Sequence, residues 1–401
     1  MPAIERRELK TLKDFYTLMG ETRQVRFASV ADILAGGDGA GAADSLANAL
    51  ADLEAVPEAD GRKALILSGD RTIGLDMDYE INELRKDLLF IRRGEAAFLE
   101  FLSDLHPGFT ERVAAGRDLL AGLDINAFIT DRDGTINNYC ARYLTSIQSI
   151  YNAVFFSRFA LNKATTPVIL TSAPLEGLIE ISVNPEGKIY YAASKGRECL
   201  DLEGRVRRLA ISPEKQVAID TLNVRLSELT SRPEFEKFTL IGSGLQFKFG
   251  QTTVARQDIG RSVDEAESGR FMTVLRELVA EIDPEAMNFR IEDTGLDVEI
   301  ILTVETSNDG LKDFDKGDGV KFLNAELDIQ MFRGPHLICG DTGSDVPMLE
   351  AALELAPDTR AIYVTQNEDL AKRVRGLSAN VEIVPEPDML VAILGTMQSC
   401  P

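Results

Sequence analysis

The residues with the clearest chemical potential in this chain of 401 residues are two carboxylates two positions apart, Asp131 and Asp133, followed by Gly134 and Thr135. They leave a short run, residues 125–130, whose alternate apolar positions Ile125, Ala127 and Ile129 read as a buried strand. Acids this close repel each other unless a cation sits between them. With a divalent metal, one carboxylate can attack an electrophile while the other carries a proton, both held at the C-terminal lip of a sheet. Taken alone, the stretch reads equally well as an Asp-rich turn with glycine at a positive φ.

Three further clusters follow. Residues 167–170 form an apolar run ending at Thr171, whose hydroxyl could hold a phosphoryl oxygen or simply cap the next helix. Lys316 stands just before a glycine and an apolar-periodic helix; in isolation it would be a solvated lysine. The strand expected over 335–339 delivers Gly340 and a second acid pair, Asp341 and Asp345, into a helix over 346–355. On their own these two acids would be an N-cap and a surface carboxylate. Arg132, between the first two acids, either binds substrate or packs on a neighbour. His106 and His336 suggest no role, and two histidines exclude a His-rich metal site.

The elements that must position these groups alternate. Strand 125–130, a helix over 139–161 and strand 167–170 begin a right-handed parallel α/β sheet. A third strand is expected over 189–193, and strands over 359–364 and 381–384, with a helix over 368–374 between them, close the sheet. Residues 212–310 change character: helices over 214–229 and 271–282 interleave with alternating segments over 238–246 and 296–304, an α+β insert. Residues 1–115 read as a mainly helical accessory module. Apolar spacing predicts helices over 4–19, 44–56 and 79–105, and residues 63–67 a strand. The glycine-rich run 36–41 is a linker, lacking the strand and the Lys-Ser/Thr of a phosphate loop. The expected organisation is therefore 1–115 accessory module, 116–211 first part of the core, 212–310 cap and 311–401 second part of the core.

Composition bounds the function. The net charge of −22 argues against nucleic acid or an anionic membrane as partner. A phosphorylated substrate would have to be drawn in locally, by a metal and a few basic side chains. The longest apolar runs fall short of a membrane span, and the first ten residues lack the apolar core of a signal peptide. Four scattered cysteines, Cys140, Cys199, Cys339 and Cys400, suggest neither a zinc site nor a disulfide framework and fit a reducing cytoplasm.

The order Asp131/Asp133, Thr171, Lys316, Asp341/Asp345 resembles the haloacid-dehalogenase-like superfamily of phosphohydrolases. Its motifs are D-x-D-x-T/V, a strand-terminal Thr or Ser, a Lys, and G-D-x-x-x-D, here over roughly residues 123–395. The insert between the second and third motifs resembles the branch with a cap in the second position. The segments DKGDGVKFL and GDTGSDVPMLEAA are similar to its sugar phosphatases, above all trehalose-phosphate phosphatases. Lys248, Gly250 and Arg256 resemble that family's cap segment, although Gln246 stands where a Glu is expected and the His before the Arg is absent. DRDGT is also similar to capless histidinol- and heptose-phosphate phosphatases, whose Cys/His zinc features this chain lacks.

The resemblance implies an α/β fold: a Rossmann-like parallel-sheet core with an inserted α+β cap. It implies Asp131 as nucleophile, Asp133 as general acid and base, and Thr171 and Lys316 neutralising phosphoryl oxygens. Mg²⁺ would be held by Asp131, the Asp133 backbone carbonyl and Asp341, with Asp345 in support. Lys248 and Arg256 are candidates for gripping sugar hydroxyls. The implied reaction is Mg²⁺-dependent hydrolysis of a phosphorylated sugar, with self-association through residues 1–115 as a further expectation. A phosphomutase, and a non-catalytic binding protein on the same fold, are the alternatives.

Overall fold

The computed structural model describes residues 2–59, 61–68, 71–258, 261–303 and 314–397. The strand Ile125–Thr130 lies in the middle of the largest sheet, with burial on both faces. Phe128 points into one apolar cluster, and Ala127 and Ile129 into the other. Such near-continuous burial is what a parallel sheet covered by helices requires. From this strand the chain builds outward through Ala164–Leu170 and Tyr190–Ala193, all parallel. Glu198–Leu200 and Val206–Arg208 extend that edge antiparallel. After the insert the chain returns to the other side and adds Leu337–Gly340, Arg360–Val364 and Val381–Val384, again parallel. The direction of growth therefore reverses between Ile125–Thr130 and Leu337–Gly340. At such a switch point the carboxyl ends of neighbouring strands splay and leave a crevice. Asp131 and Asp341 are the first residues beyond those two ends.

The insert is the expected α+β cap: a four-stranded antiparallel sheet ordered Phe289–Asp293, Asp297–Leu302, Gln251–Ala255, Leu245–Lys248. Helices Pro213–Thr230 and Glu265–Ile282 bury Leu222, Leu226, Phe271 and Leu275 against it. Residues 236–239 form a short 3₁₀ turn instead of the start of a strand. The cap boundary expected at residue 310, the strand end expected at residue 304 and Cys400 lie outside the described residues.

The first third is helical, with differences in detail. Its first helix is Leu12–Leu34, beginning after a capping box made by Thr11 and Asp14, so residues 4–10 are not helical as the spacing predicts. Leu9 and Ile4 are buried nevertheless, their apolar character reflecting packing and not helical periodicity. The strand at 62–68 pairs with an unanticipated partner, Arg71–Leu75. Helix Asp78–Leu105 is interrupted at Gly94, and helix Phe109–Leu120 spans residue 115. The apolar positions of these helices are buried inside the chain: Phe15, Leu18, Leu84, Phe98 and Leu102 join the main core. Arg26 and Asp87, both inaccessible to solvent, form an ion pair of 2.6 Å. Arg26 also donates to the Ile147 carbonyl.

The helix expected over 139–161 starts only at Ile150, in Ile150–Lys163. Its first N–H is capped from a distant helix, by Asp87 Oδ1 at 2.6 Å. A helix end satisfied from 63 positions away leaves no local signal. Residues 138–149 instead run as loop and one 3₁₀ turn beside the crevice.

Candidate active site

Asp131 is 6% exposed and sits under the ammonium of Lys316, whose Nζ donates to its Oδ1 at 2.6 Å. The same Nζ donates to Asp345 Oδ1 at 2.5 Å. Lys316 opens helix Lys316–Glu326, whose N-cap Asp315 and N3 Asp318 form a capping box. The glycines around it permit close docking. A Cβ on Gly319 would lie 2.2 Å from the Lys195 carbonyl oxygen, and one on Gly317 2.6 Å from that of Pro347. The pattern Lys-Gly-Asp-Gly thus brings the lysine's helix against two neighbouring segments.

Asp131, Asp341 and Asp345 each place a carboxylate oxygen within 4.8 Å of the others. Asp345 is fixed by three donors, the backbone N–H groups of Asp341 and Thr342 and the Thr342 hydroxyl, all on Oδ2. Thr135, which the sequence reading left without a role, donates to Asp341 Oδ1 at 3.0 Å and lies 3.4 Å from Asp131 Oδ2. Burial, then the neighbouring carboxylates, push the Asp341 carboxyl up to about 8. Burial also raises Asp131 to about 6, against the pull of Lys316. For Asp345 burial is outweighed by Lys316 and the backbone donors, which hold it below its ordinary value. Lys316 is held above its own, burial being outweighed by Asp131 and Asp345. One ammonium does not balance three converging carboxylates. Their oxygen donors are those a hard divalent cation takes, and a cation there would relieve the repulsion.

Asp133 stands apart, its side chain 28% exposed. Arg132 is buried at 2% and closes a loop around it: its guanidinium bonds Asp133 Oδ1, the Ser146 hydroxyl and the Ser146 carbonyl. Ser146 Oγ donates to the same Oδ1 at 2.7 Å. Arg132 and Ser146 therefore pin one oxygen of Asp133. Ser146 lies in the loop over 138–149, where apolar spacing predicts a helix, so its part carries no local signal.

Asp133 opens onto a cleft of about 170 Å³ between core and cap. Tyr139, Tyr143 and Ser146 line it from the core, and Ser243, Gln246, Gln257 and Asp297 from the cap. Thr171 follows the strand beside that of Asp131; its hydroxyl accepts from the Ala173 N–H and its carbonyl from the Lys195 N–H. Lys248 and Arg256 do not line the cleft. Lys248 is buried where the cap meets the core: the next residue, Phe249, donates its N–H to Ser194 Oγ at 2.9 Å. Burial, against the pull of Glu299 and Asp297 and with lesser contributions from Lys195 and Arg197, lowers its ammonium to about 8. Arg256 is engaged within the cap, 3.3 Å from Asp293 and 3.6 Å from Glu265.

His336 is structural: Nδ1 accepts from the Ala127 N–H, and Nε2 faces the Met331 carbonyl at 2.7 Å. His106 joins Asp388, at 2.8 Å, in a cluster that also holds Lys86. No helix among the described residues is long and apolar enough to cross a membrane.

A parallel α/β core with acids at its switch point, a lysine bridging two of them and an inserted α+β cap define a haloacid-dehalogenase-like protein. Residues 128–390 match the family model for the trehalose-6-phosphate phosphatase C-terminal region, and residues 11–105 that for the trehalose-6-phosphate phosphatase N-terminal helical bundle domain. The chain belongs to the trehalose-6-phosphate phosphatase family. A trehalose-phosphatase of Caenorhabditis briggsae is 30% identical over 361 residues, covering 81% of this chain and 82% of its own. One from Brugia malayi is 32% identical over 278 residues, 67% of this chain and 55% of its own. The protein called alpha,alpha-trehalose-phosphate synthase [UDP-forming] 2 of Caenorhabditis elegans is 33% identical over 413 residues. That match covers 96% of this chain but 33% of the synthase, so the chain spans about a third of the length of such relatives.

Proposed function

We propose that the protein is a Mg²⁺-dependent phosphomonoesterase that hydrolyses trehalose 6-phosphate through an aspartyl-phosphate on Asp131. The observation that carries this reading is the Lys316 ammonium held between Asp131 and Asp345, beside the further carboxylate of Asp341. Asp131 attacks phosphorus, and the sugar oxygen leaves with a proton from Asp133. Asp133 then takes a proton from water, whose oxygen displaces the Asp131 carboxylate and releases phosphate. Ser146 and Arg132 hold Asp133 Oδ1, which leaves Oδ2 for the proton. Lys316 and the Thr171 hydroxyl neutralise the equatorial phosphoryl oxygens, where charge sits in the transition state. Asp131, Asp341 and the Asp133 carbonyl would hold Mg²⁺ with Asp345 in support; when bound it supplies positive charge to the transferring phosphoryl group.

Among the described residues the free buried thiols Cys140, Cys199 and Cys339 suit a reducing compartment such as the cytoplasm. The reading is tested by phosphate release from trehalose 6-phosphate. Turnover is expected with Mg²⁺ and its loss in excess EDTA; full turnover in EDTA would overturn the metal requirement. A phosphate trapped on any residue but Asp131 would overturn the nucleophile.

A further inference from the structure

The cleft at Asp133 borders a second, larger cavity of about 1150 Å³. Tyr139, Ala141, Gly242 and Asp258 line both the cleft and this cavity. The walls of this cavity come from three parts of the chain. They are the N-terminal module, through its hairpin and helix Asp78–Leu105, the core loop 138–142, and the cap. Pockets for small molecules run to roughly 300–1,000 Å³. The 170 Å³ cleft is too small by this measure and the adjoining space is ample. On the N-terminal helix, Asp78, Asn82 and Lys86 are spaced by four, fall on one face and line the larger cavity. Tyr139 stands at the junction with 65% of its surface exposed.

We propose that this cavity is a polyol subsite that receives the sugar portion of the substrate remote from the phosphate, with the N-terminal module forming one wall. The inference rests on the phosphomonoesterase reading. Asp78 and Asn82, both exposed, offer acceptors, and Asn82 and Arg85 offer donors. Acids and bases are mixed in these walls, which suits hydroxyl groups, each both donor and acceptor, better than a second phosphate. The exposed ring of Tyr139 gives a flat face against which the C–H bonds of a pyranose can pack. Lys86, on the same face, is tied to Asp388 at 2.8 Å and to Glu83 at 3.0 Å, both also lining the cavity, which fixes this part of the wall.

The test compares wild type, the double variant Asp78→Ala/Asn82→Ala and Tyr139→Ala, as full chains with Mg²⁺. Asp78 and Asn82 line only the larger cavity. The readout is KM for trehalose 6-phosphate divided by KM for p-nitrophenyl phosphate. Both variants are expected to raise this ratio roughly tenfold; in the double variant, whose residues stand outside the Asp133 cleft, kcat on the sugar phosphate should change by less than about twofold. A ratio unchanged in the double variant overturns the subsite, as does an equal loss on both substrates. If wild type cleaves the aryl ester but not the sugar phosphate, the subsite falls while phosphomonoesterase chemistry stands. If it cleaves neither, the esterase reading falls. Saturation-transfer NMR with unphosphorylated trehalose then decides the subsite alone: signal in wild type lost in the double variant supports it, and no signal in wild type overturns it.

Discussion

Gly134 and Asp341 approach so closely that a Cβ on the glycine would sit 2.3 Å from Asp341 Oδ2. The glycine also adopts a φ of +84°, where side-chain-bearing residues are strained. Gly134→Ala should therefore displace a carboxylate of the acidic cluster while the fold survives. Isothermal titration with Mg²⁺ is expected to show affinity weakened by about tenfold, with an unchanged far-ultraviolet circular dichroism spectrum. Unaltered Mg²⁺ affinity would remove Asp341 from the metal site.

The two acids of the first motif should fail differently. Asp131→Asn removes the nucleophile, and turnover should vanish on every ester. Asp133→Asn loses proton transfer, which typically costs on the order of 10²–10⁴-fold. The loss should be smaller for p-nitrophenyl phosphate, whose leaving group needs little protonation. Since the second step still needs a base, this variant should accumulate phosphate on the peptide containing Asp131, visible by mass spectrometry. An equal loss on aryl and sugar esters would argue against Asp133 as the acid.

Lys248 and Arg256 should also separate. Lys248 is buried at the seam of cap and core, close enough to Lys195 and Arg197 for their charges to contribute to its lowered value of about 8. Burial is the main cause of that lowering, so a substrate anion reaching the ammonium would favour its charged form, and Lys248→Ala should raise KM for the sugar phosphate. Arg256 lies within the cap beside Asp293 and Glu265. Arg256→Ala should lower the melting temperature and leave KM nearly unchanged; a raised KM with unaltered stability would assign it to substrate instead.

A buried cluster predicts acid sensitivity. Asp388 accepts from Lys86, His106, Tyr151 and Asn138 and is 1% exposed. Burial alone would raise its carboxyl, but Lys86 and these hydrogen bonds outweigh it and hold it well below the carboxylate range. A depressed folded value means the stabilisation is complete above the unfolded value of about 3.9 and is lost as pH falls below it. Asp388→Asn should cost about 3–5 kcal/mol at pH 7, as for a broken buried pair. Thermal unfolding should show the gap to wild type narrowing below about pH 4. A gap independent of pH would mean that packing and not charge is lost.

The sequence by itself determined the core strands, the glycines and the acid pairs, because these depend on local rules. Alternating or continuous apolar runs mark buried strands, and carboxylates at strand ends mark the lip of a sheet. Hence the strand ends that carry Asp131 and Asp341 were legible, as was the α+β character of the cap, whereas Lys316 and Asp345 stood out only through the order of motifs that resembles the superfamily. Only the tertiary structure decided which groups hold those residues in place. Ser146 reaches Asp133 from a loop that its apolar spacing disguises as helix. Asp87 caps Ile150 across 63 positions. The first third has amphipathic stripes whose partner could have been another copy. In the fold they meet the chain's own core, and the same helix that buries Leu84 and Phe98 turns Asp78 and Asn82 toward the cavity beside Asp133. Periodicity tells which face of a helix is apolar; what that face meets is a contact distant in sequence, and no local pattern encodes it.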